Sequence, residues 1–463
     1  MIPDKLVPRP NAGPGYWLSF LIPFAVATSF EHAKKHGLAC AALDYQLNEV
    51  LTGAAWGMGL ETLCYFLCEW LKEDSITKTI ITLLPMTFTS LYLNLQMAPG
   101  AAVLFSLVLG ILYLRVYKCV LSRLPRTFSY GEASILVQGL FLFVVTVGFR
   151  LLRGSSRAMT DFDKLYVIMQ SALCFLLIAC ALLTLYPSLR RTVPLYILLT
   201  LLLVAVTCAP VTQPMPLIVL LDFILKDQKR LYIIAFYLVL VALTCATVSW
   251  QLRHSTKANT RVRKIFHLLI VLVFVPGICY QCQLLYMATG IAFAVFVVLE
   301  IIRLLKLPPF AAQLALAFNS FKDEKDAGPL ALTPFCLLIG CCLPIWLTSC
   351  PCSVAAHDSP LVLLSGILAV GIGDAAASVV GSKMGRTKWS RNTDRSVEGT
   401  FAFIFSILLS VGLLQLCGLL PMSHVKWFCT VIAAINTALV ESITDQIDNL
   451  VLPLVFYIFV GYA

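Results

Sequence analysis

The chain has 463 residues, of which 59% are hydrophobic and only 13% charged, with a net charge of +10. That balance excludes a soluble globular protein, and the many long apolar runs exclude a single-pass anchor; an all-α, polytopic transmembrane bundle of about 13–15 spans is expected. The positive excess belongs in cytosolic loops, where it sets topology and gives no reason to expect a nucleic-acid partner.

In chain order, residues 1–14 read as a short exposed tail, with no signal-peptide arrangement. Spans are expected at Gly15–Phe30, Val50–Leu71 (which contains Glu61), Thr77–Gln96 and Ala101–Val120. Ser129-Tyr-Gly-Glu132 has the form of a capping box opening the next span. Spans follow at about Phe162–Tyr186 and Val193–Val211. Pro210, Pro214 and Pro216 then break the helix and leave a half-span to Ile224. From Glu31 to Leu252 no constellation carries chemistry, so residues 1–252 are read as an N-terminal transmembrane scaffold region. The 17 cysteines sit mostly in apolar runs and show no paired CxxC spacing for zinc. Cys350-Pro351-Cys352 reads as a loop feature.

Residues 253–463 read as the C-terminal transmembrane catalytic region. A basic loop leads into Ile265–Leu284, and Lys264 and His267 share a face at that helix's entrance. Glu300 and Arg303, three apart, read as an intrahelical ion pair. Phe310–Phe321 is too short to span and fits the interface. The connections 253–264, 304–328, 382–398 and 444–448 hold nearly all the Lys and Arg of this half. By the positive-inside rule they face the cytosol, while 349–360 and the connection near Tyr280 face the other side.

The stretch Gly371–Thr400 carries an acid, Asp374, into an apolar segment, where an ionised group costs at least about 2.5 kcal/mol. Asp374, Ser378 and Ser382 share one helical face; Gly373, Ala377, Gly381 and Gly385 form the next, a spacing also used for plain helix packing. A loop bearing Lys383, Arg386, Lys388, Trp389, Arg391 and Arg395 follows, closed by Glu398-Gly399-Thr400. Acid, glycines and cations together point to an anion held by a metal and by Lys/Arg. Glu441, Asp445 and Asp448 are spaced to line one helical face, a donor set suited to Mg²⁺ or Ca²⁺.

GIGDAAASVVGSKMG, KW and VEGT resemble the dolichol kinase family, a group of CTP-dependent polyprenol kinases. So do RKIFHL (Arg263–Leu268), LEIIR (Leu299–Arg303), KDEKDAGPLALT (Lys322–Thr333) and ESITDQIDNLVLPL (Glu441–Leu454). The first 250 or so residues resemble it only in hydropathy and in short words such as SYGEAS. One departure is Arg395, where the family usually has Lys: charge is kept, but a planar fork replaces a compact ammonium.

The resemblance implies transfer of the γ-phosphate of CTP to the hydroxyl of dolichol, giving dolichyl phosphate and CDP. That product is the lipid carrier for protein glycosylation, made at the endoplasmic reticulum membrane by a multi-pass protein whose active site faces the cytosol. No P-loop is present. Asp374, Glu441 and Asp448 would hold the metal. The CTP site would comprise Gly373, Ala375, Ala377, Ser378, Gly381, Ser382, Lys383, Gly385, Lys388, Trp389, Arg395, Gly399 and Thr400. Asp374, Glu398, His267 and Lys264 would serve the chemistry. Dolichol and membrane lipids are the expected partners. A membrane cytidylyltransferase and a transporter using Asp374 and Glu61 are the alternatives.

Overall fold

The computed structural model describes residues 6–35, 42–72, 75–94, 98–153, 160–254, 260–322, 325–348, 352, 360–390 and 395–462. Arg391, Asp323, Glu324, Cys350 and Pro351 lie outside them. The first helices in chain order are α1 (Leu21–Lys35), α2 (Ala42–Leu71), α3 (Ser75–Leu93), α4 (Pro99–Arg123) and α5 (Tyr130–Arg153). Then come α6 (Asp161–Leu185), α7 (Thr192–Cys208), α8 (Pro216–Leu225), α9 (Gln228–His254), α10 (Thr260–Tyr280), α11 (Cys282–Leu304) and α12 (Ala311–Phe321). The last are α13 (Leu332–Leu347), α14 (Pro360–Gly366), α15 (Ala375–Met384), α16 (Val397–Leu416), α17 (His424–Ile443) and α18 (Asp448–Val460). A π-helical segment, Ile367–Asp374, joins α14 to α15 into one span. Among the described residues, ten helical segments are long and apolar enough to cross a membrane, and four shorter apolar helices accompany them. The fold is therefore the expected all-α membrane bundle.

The chain forms two compact units, Met1–Arg153 with Glu324–Ala463, and Gly154–Asp323. The first unit thus draws on residues from both sides of position 252. Its centre is α18, which packs against α1, α13, α14, α17 and the π-helical segment. Leu450, Val451, Leu452, Leu454 and Phe456 are all fully buried, as expected of a helix apolar on every side. The α1–α5 helices pack successively and reach α18 through α1.

α16 shows how the membrane shapes the pattern. Phe403, Ile407 and Val411 are buried, whereas Phe401, Phe405, Leu409 and Leu413, on another face, are exposed. Both faces are apolar because the outer one meets lipid. In the second unit, α6 packs on α7 and α11, α9 on α10 and α12, and α10 on α11. Pro216 sits at the first turn of α8, a ten-residue helix that fits the expected half-span. Glu300 and Arg303 pair through two hydrogen bonds of 2.6 and 2.7 Å within α11.

The π-helical segment meets α16 at Gly373. A Cβ there would lie 2.8 Å from ring carbons of Phe403, which is fully buried. Gly373→Ala should destabilise the protein by about 1–3 kcal/mol through overpacking. A lowered melting temperature in detergent, partly restored by Phe403→Leu, is the expected result. An unchanged melting temperature would mean that the two helices part freely here.

Candidate functional site

Three connections of the first unit meet at one point. α17 ends with Glu441 near its last turn, Thr444–Ile447 leave the helix, and α18 begins at Asp448. Glu441 and Asp448 therefore belong to different helices, not to one face of a single helix as their spacing implied. They converge because Arg395 lies between them: its guanidinium donates to the Glu441 carboxylate and, at 3.5 Å, to Asp448 Oδ2. Lys325 Nζ donates to the same Asp448 oxygen at 3.0 Å and to the Gln446 carbonyl at 2.9 Å. Asp374, buried at the end of the π-helical segment, is within electrostatic reach of Arg395, Glu441 and Asp448. Burial works against the Arg395 charge, but Glu441 and Asp448 outweigh it and hold its pKa above the ordinary arginine value. Asp445 turns away, its carboxylate accepting from the Gly13 amide.

The loop carrying Arg395 is built by the residues around it. Lys388 and Ser396 form an isolated antiparallel bridge, with Trp389 N–H donating to Arg395 O and Val397 N–H to Thr387 O. Ser396 caps α16 by accepting from Gly399 N–H at 3.1 Å. Glu398 accepts the Thr387 amide at 3.0 and 3.3 Å, so its carboxylate staples the loop. Trp389 donates its indole N–H to Thr400 at 2.8 Å while remaining 42% exposed. The small-residue stripe faces α16: Cβ atoms at Gly381 and Gly399 would meet Ser396 Oγ at 3.1 and 3.2 Å, and one at Gly399 the Ala377 carbonyl at 3.0 Å. This is close helix packing of the small-xxx-small kind. Ser382, Lys383 and Lys388 are exposed beside it; Ala375, Ser378 and Gly385 are half-buried.

Several residues of this region escaped sequence reasoning. In the KDEKDAGPLALT stretch, Asp326 caps α13, accepting from Leu332 N–H, Thr333 N–H and the Thr333 hydroxyl at 2.8–3.0 Å; Lys325 is thereby set beside Asp448. The tail keeps Val7, Pro10, Asn11 and Pro14 exposed but buries one of its described residues. Arg9 is 4% exposed, and its backbone N–H donates to Phe128 O at 2.8 Å. Its guanidinium pairs at 2.6 Å with Glu132, the acid of the expected capping box, whose Ser129–Glu132 bonds are both present. Breaking a buried pair of this kind by removing one partner costs about 3–5 kcal/mol. The signal was available in a lone Arg in a proline-rich tail and a Glu doubling as a cap, but nothing local joined them.

Lys264 and His267 lie on α10, in the second unit. His267 is buried there, its Nδ1 3.3 Å from the Arg263 carbonyl. Glu61 is fully buried on α2, and neither carboxylate oxygen has a hydrogen-bond partner among the described residues. No group of three or more His, Cys, Asp or Glu is arranged to hold a metal ion among the described residues. The all-oxygen donors Asp374, Glu441 and Asp448 nevertheless fit a hard dication chemically; Glu441 and Asp448 are engaged by Arg395 and Lys325 instead.

A family described as dolichol kinase matches residues 100–338. The chain is 33% identical over 392 residues to a dolichol kinase of Homo sapiens, covering 75% of this chain and 68% of that protein. It is likewise 33% identical over 367 residues to a dolichol kinase of Mus musculus, with the same coverage. Against dolichol kinase EVAN of Arabidopsis thaliana the identity is 36% over 246 residues, 52% of this chain and 42% of that protein. No solved structure matches.

The geometry of Glu398 separates stapling from chemistry. Glu398→Gln keeps an oxygen for the Thr387 amide and should leave trypsin cleavage at Arg386 and Lys388 unchanged, whereas Glu398→Ala should speed it severalfold. Equal cleavage of both variants and the wild type would show that the carboxylate does not hold the loop.

Proposed function

Because the chain belongs to the dolichol kinase family, we propose that it transfers the γ-phosphate of CTP to the terminal hydroxyl of dolichol, giving dolichyl phosphate and CDP. The observation that carries this reading is the Arg395 guanidinium held between Glu441 and Asp448, with Lys325 on the same Asp448 oxygen. Cations and carboxylates already in register are what a metal–triphosphate needs. Arg395 and Lys325 would hold the phosphate oxygens, and Asp374, Glu441 and Asp448 would be the carboxylates for the metal. Lys383 and Lys388 extend the clamp, and Trp389 stands at the loop where the base would stack. When bound, Mg²⁺ or Ca²⁺ would neutralise charge on the phosphates, held by Asp374, Glu441 and Asp448.

Phosphoryl transfer is mostly positioning and charge neutralisation. The bond from the γ-phosphorus to the bridging oxygen breaks, a bond to the dolichol oxygen forms, and the hydroxyl proton passes to a base. Glu398 or His267 would orient the hydroxyl or take its proton; Glu398→Gln and His267→Gln separate the two by which one lowers kcat. The apolar tail of the substrate stays among lipid-facing helices, which is why such chemistry is built on a membrane bundle.

We place the site on the cytosolic face of the endoplasmic reticulum membrane. Three of the Lys/Arg-bearing connections meet at the site, in keeping with one face.

With purified protein and dolichol, CTP labelled at the γ position should label the lipid, and ATP should do so poorly. Label arriving from the α position would mean cytidylyl transfer, and no label from CTP would overturn the reading. Asp374→Asn should abolish activity with normal expression; full activity at saturating Mg²⁺ would make Asp374 structural. Arg395→Lys should stay active, while Arg395→Ala should weaken CTP about ten- to a hundredfold, the value of a charge-assisted hydrogen bond; an unchanged CTP affinity and rate would remove Arg395 from the site.

A further inference from the structure

The turn between α17 and α18 is held far more firmly than a surface turn requires. Glu132 Oε1 accepts the Ile447 N–H at 2.8 Å and Arg9 at 2.6 Å, while its Oε2 accepts the Ser129 N–H at 2.8 Å. Arg9 also donates to the Asp445 carbonyl at 3.2 Å. The Gln446 side chain is fixed at both ends: its oxygen accepts from the Ser129 hydroxyl at 2.5 Å, and its nitrogen donates to the Gly13 carbonyl at 3.0 Å. Gly15 adopts φ +65°, and a Cβ there would lie 2.7 Å from that Gln446 oxygen, so only glycine leaves the tail this close. Each of the three residues before Asp448 is therefore pinned by α5 or by the tail.

We propose that Arg9, Ser129 and Glu132 are positioning residues for the reaction: they fix the 445–447 turn and thereby aim Asp448 at the phosphate and metal site. The proposal rests on the functional reading above and adds to it a role for the N-terminal part of the chain. Arg9 and Glu132 are 3% and 0% exposed at their side chains. A buried ion pair is a weak source of stability compared with an apolar replacement, and its best-attested use is to select one arrangement. Here the arrangement selected is the direction of the next carboxylate. Outer residues that orient a metal-binding carboxylate typically change metal affinity about 10–100-fold when altered.

The test uses the full-length chain in detergent and Mn²⁺ as the metal probe, with binding read by electron paramagnetic resonance in the presence of CTP and without dolichol, so that no turnover is needed. Glu132→Gln should weaken Mn²⁺ binding about 10–100-fold and raise the metal concentration for half-maximal rate, while the KM for dolichol stays unchanged. Ser129→Ala, which removes one hydroxyl and no charge, should shift Mn²⁺ binding in the same direction by less. A stability role alone would lower the melting temperature and leave Mn²⁺ binding by the folded fraction at the wild-type value; that result in both variants overturns the proposal, as does an equal loss of dolichol affinity. If Glu132→Gln does not fold, Ser129→Ala decides alone by the same criterion. Wild-type protein that binds no Mn²⁺ with CTP sinks the functional reading itself, an outcome distinct from a variant that binds as the wild type does.

Discussion

One guanidinium organises the first unit. Arg395 reaches the acids of two helices, α17 and α18, from a loop that closes α15 onto α16. Without a cation between them, Glu441 and Asp448 would repel each other and Asp374 in a setting that shields charge poorly. With it, the loop, the α17–α18 turn and the Lys325 turn share one set of ionic contacts. In the proposed reading the same contacts are exchangeable in kind: a phosphate would take the cations and a metal the carboxylates.

Around this polar point the packing is close and apolar. Glycines at 373, 381 and 399 let α16 approach the span that ends in Asp374, and α18 is buried along its length. Close packing beneath the charged residues would limit how far their carboxylates drift, which the proposed phosphoryl transfer, dependent on placement, would need. The π-helical segment adds a local departure from α geometry directly before Asp374, a feature frequent at functional sites.

Much of this was legible in the sequence, for physical reasons. Composition alone excludes a soluble fold, and Asp374 stands out because a carboxylate is costly in lipid. The capping box at Ser129 and the Glu300–Arg303 pair were readable because their partners are three residues apart. Long-range pairing was not. Nothing in the spacing of Glu441 and Asp448 shows that the helix ends at Ile443, which replaces a shared face by convergence across a turn. Nor does anything local connect Arg9 to Glu132, 123 residues away, or bring Lys325 to Asp448. The small-residue stripe was ambiguous by nature, since helix packing and close approach to phosphate ask for the same residues; the geometry shows α16 against it.

The most direct measurement of the central claim is an experimental structure of the full chain with Mg²⁺ and a non-hydrolysable CTP analogue. The account predicts phosphate oxygens within about 3 Å of Arg395 and Lys325, in the range of charge-assisted hydrogen bonds, and the metal on carboxylates from Asp374, Glu441 and Asp448. A nucleotide bound elsewhere, with Arg395 still paired to Glu441, would contradict it.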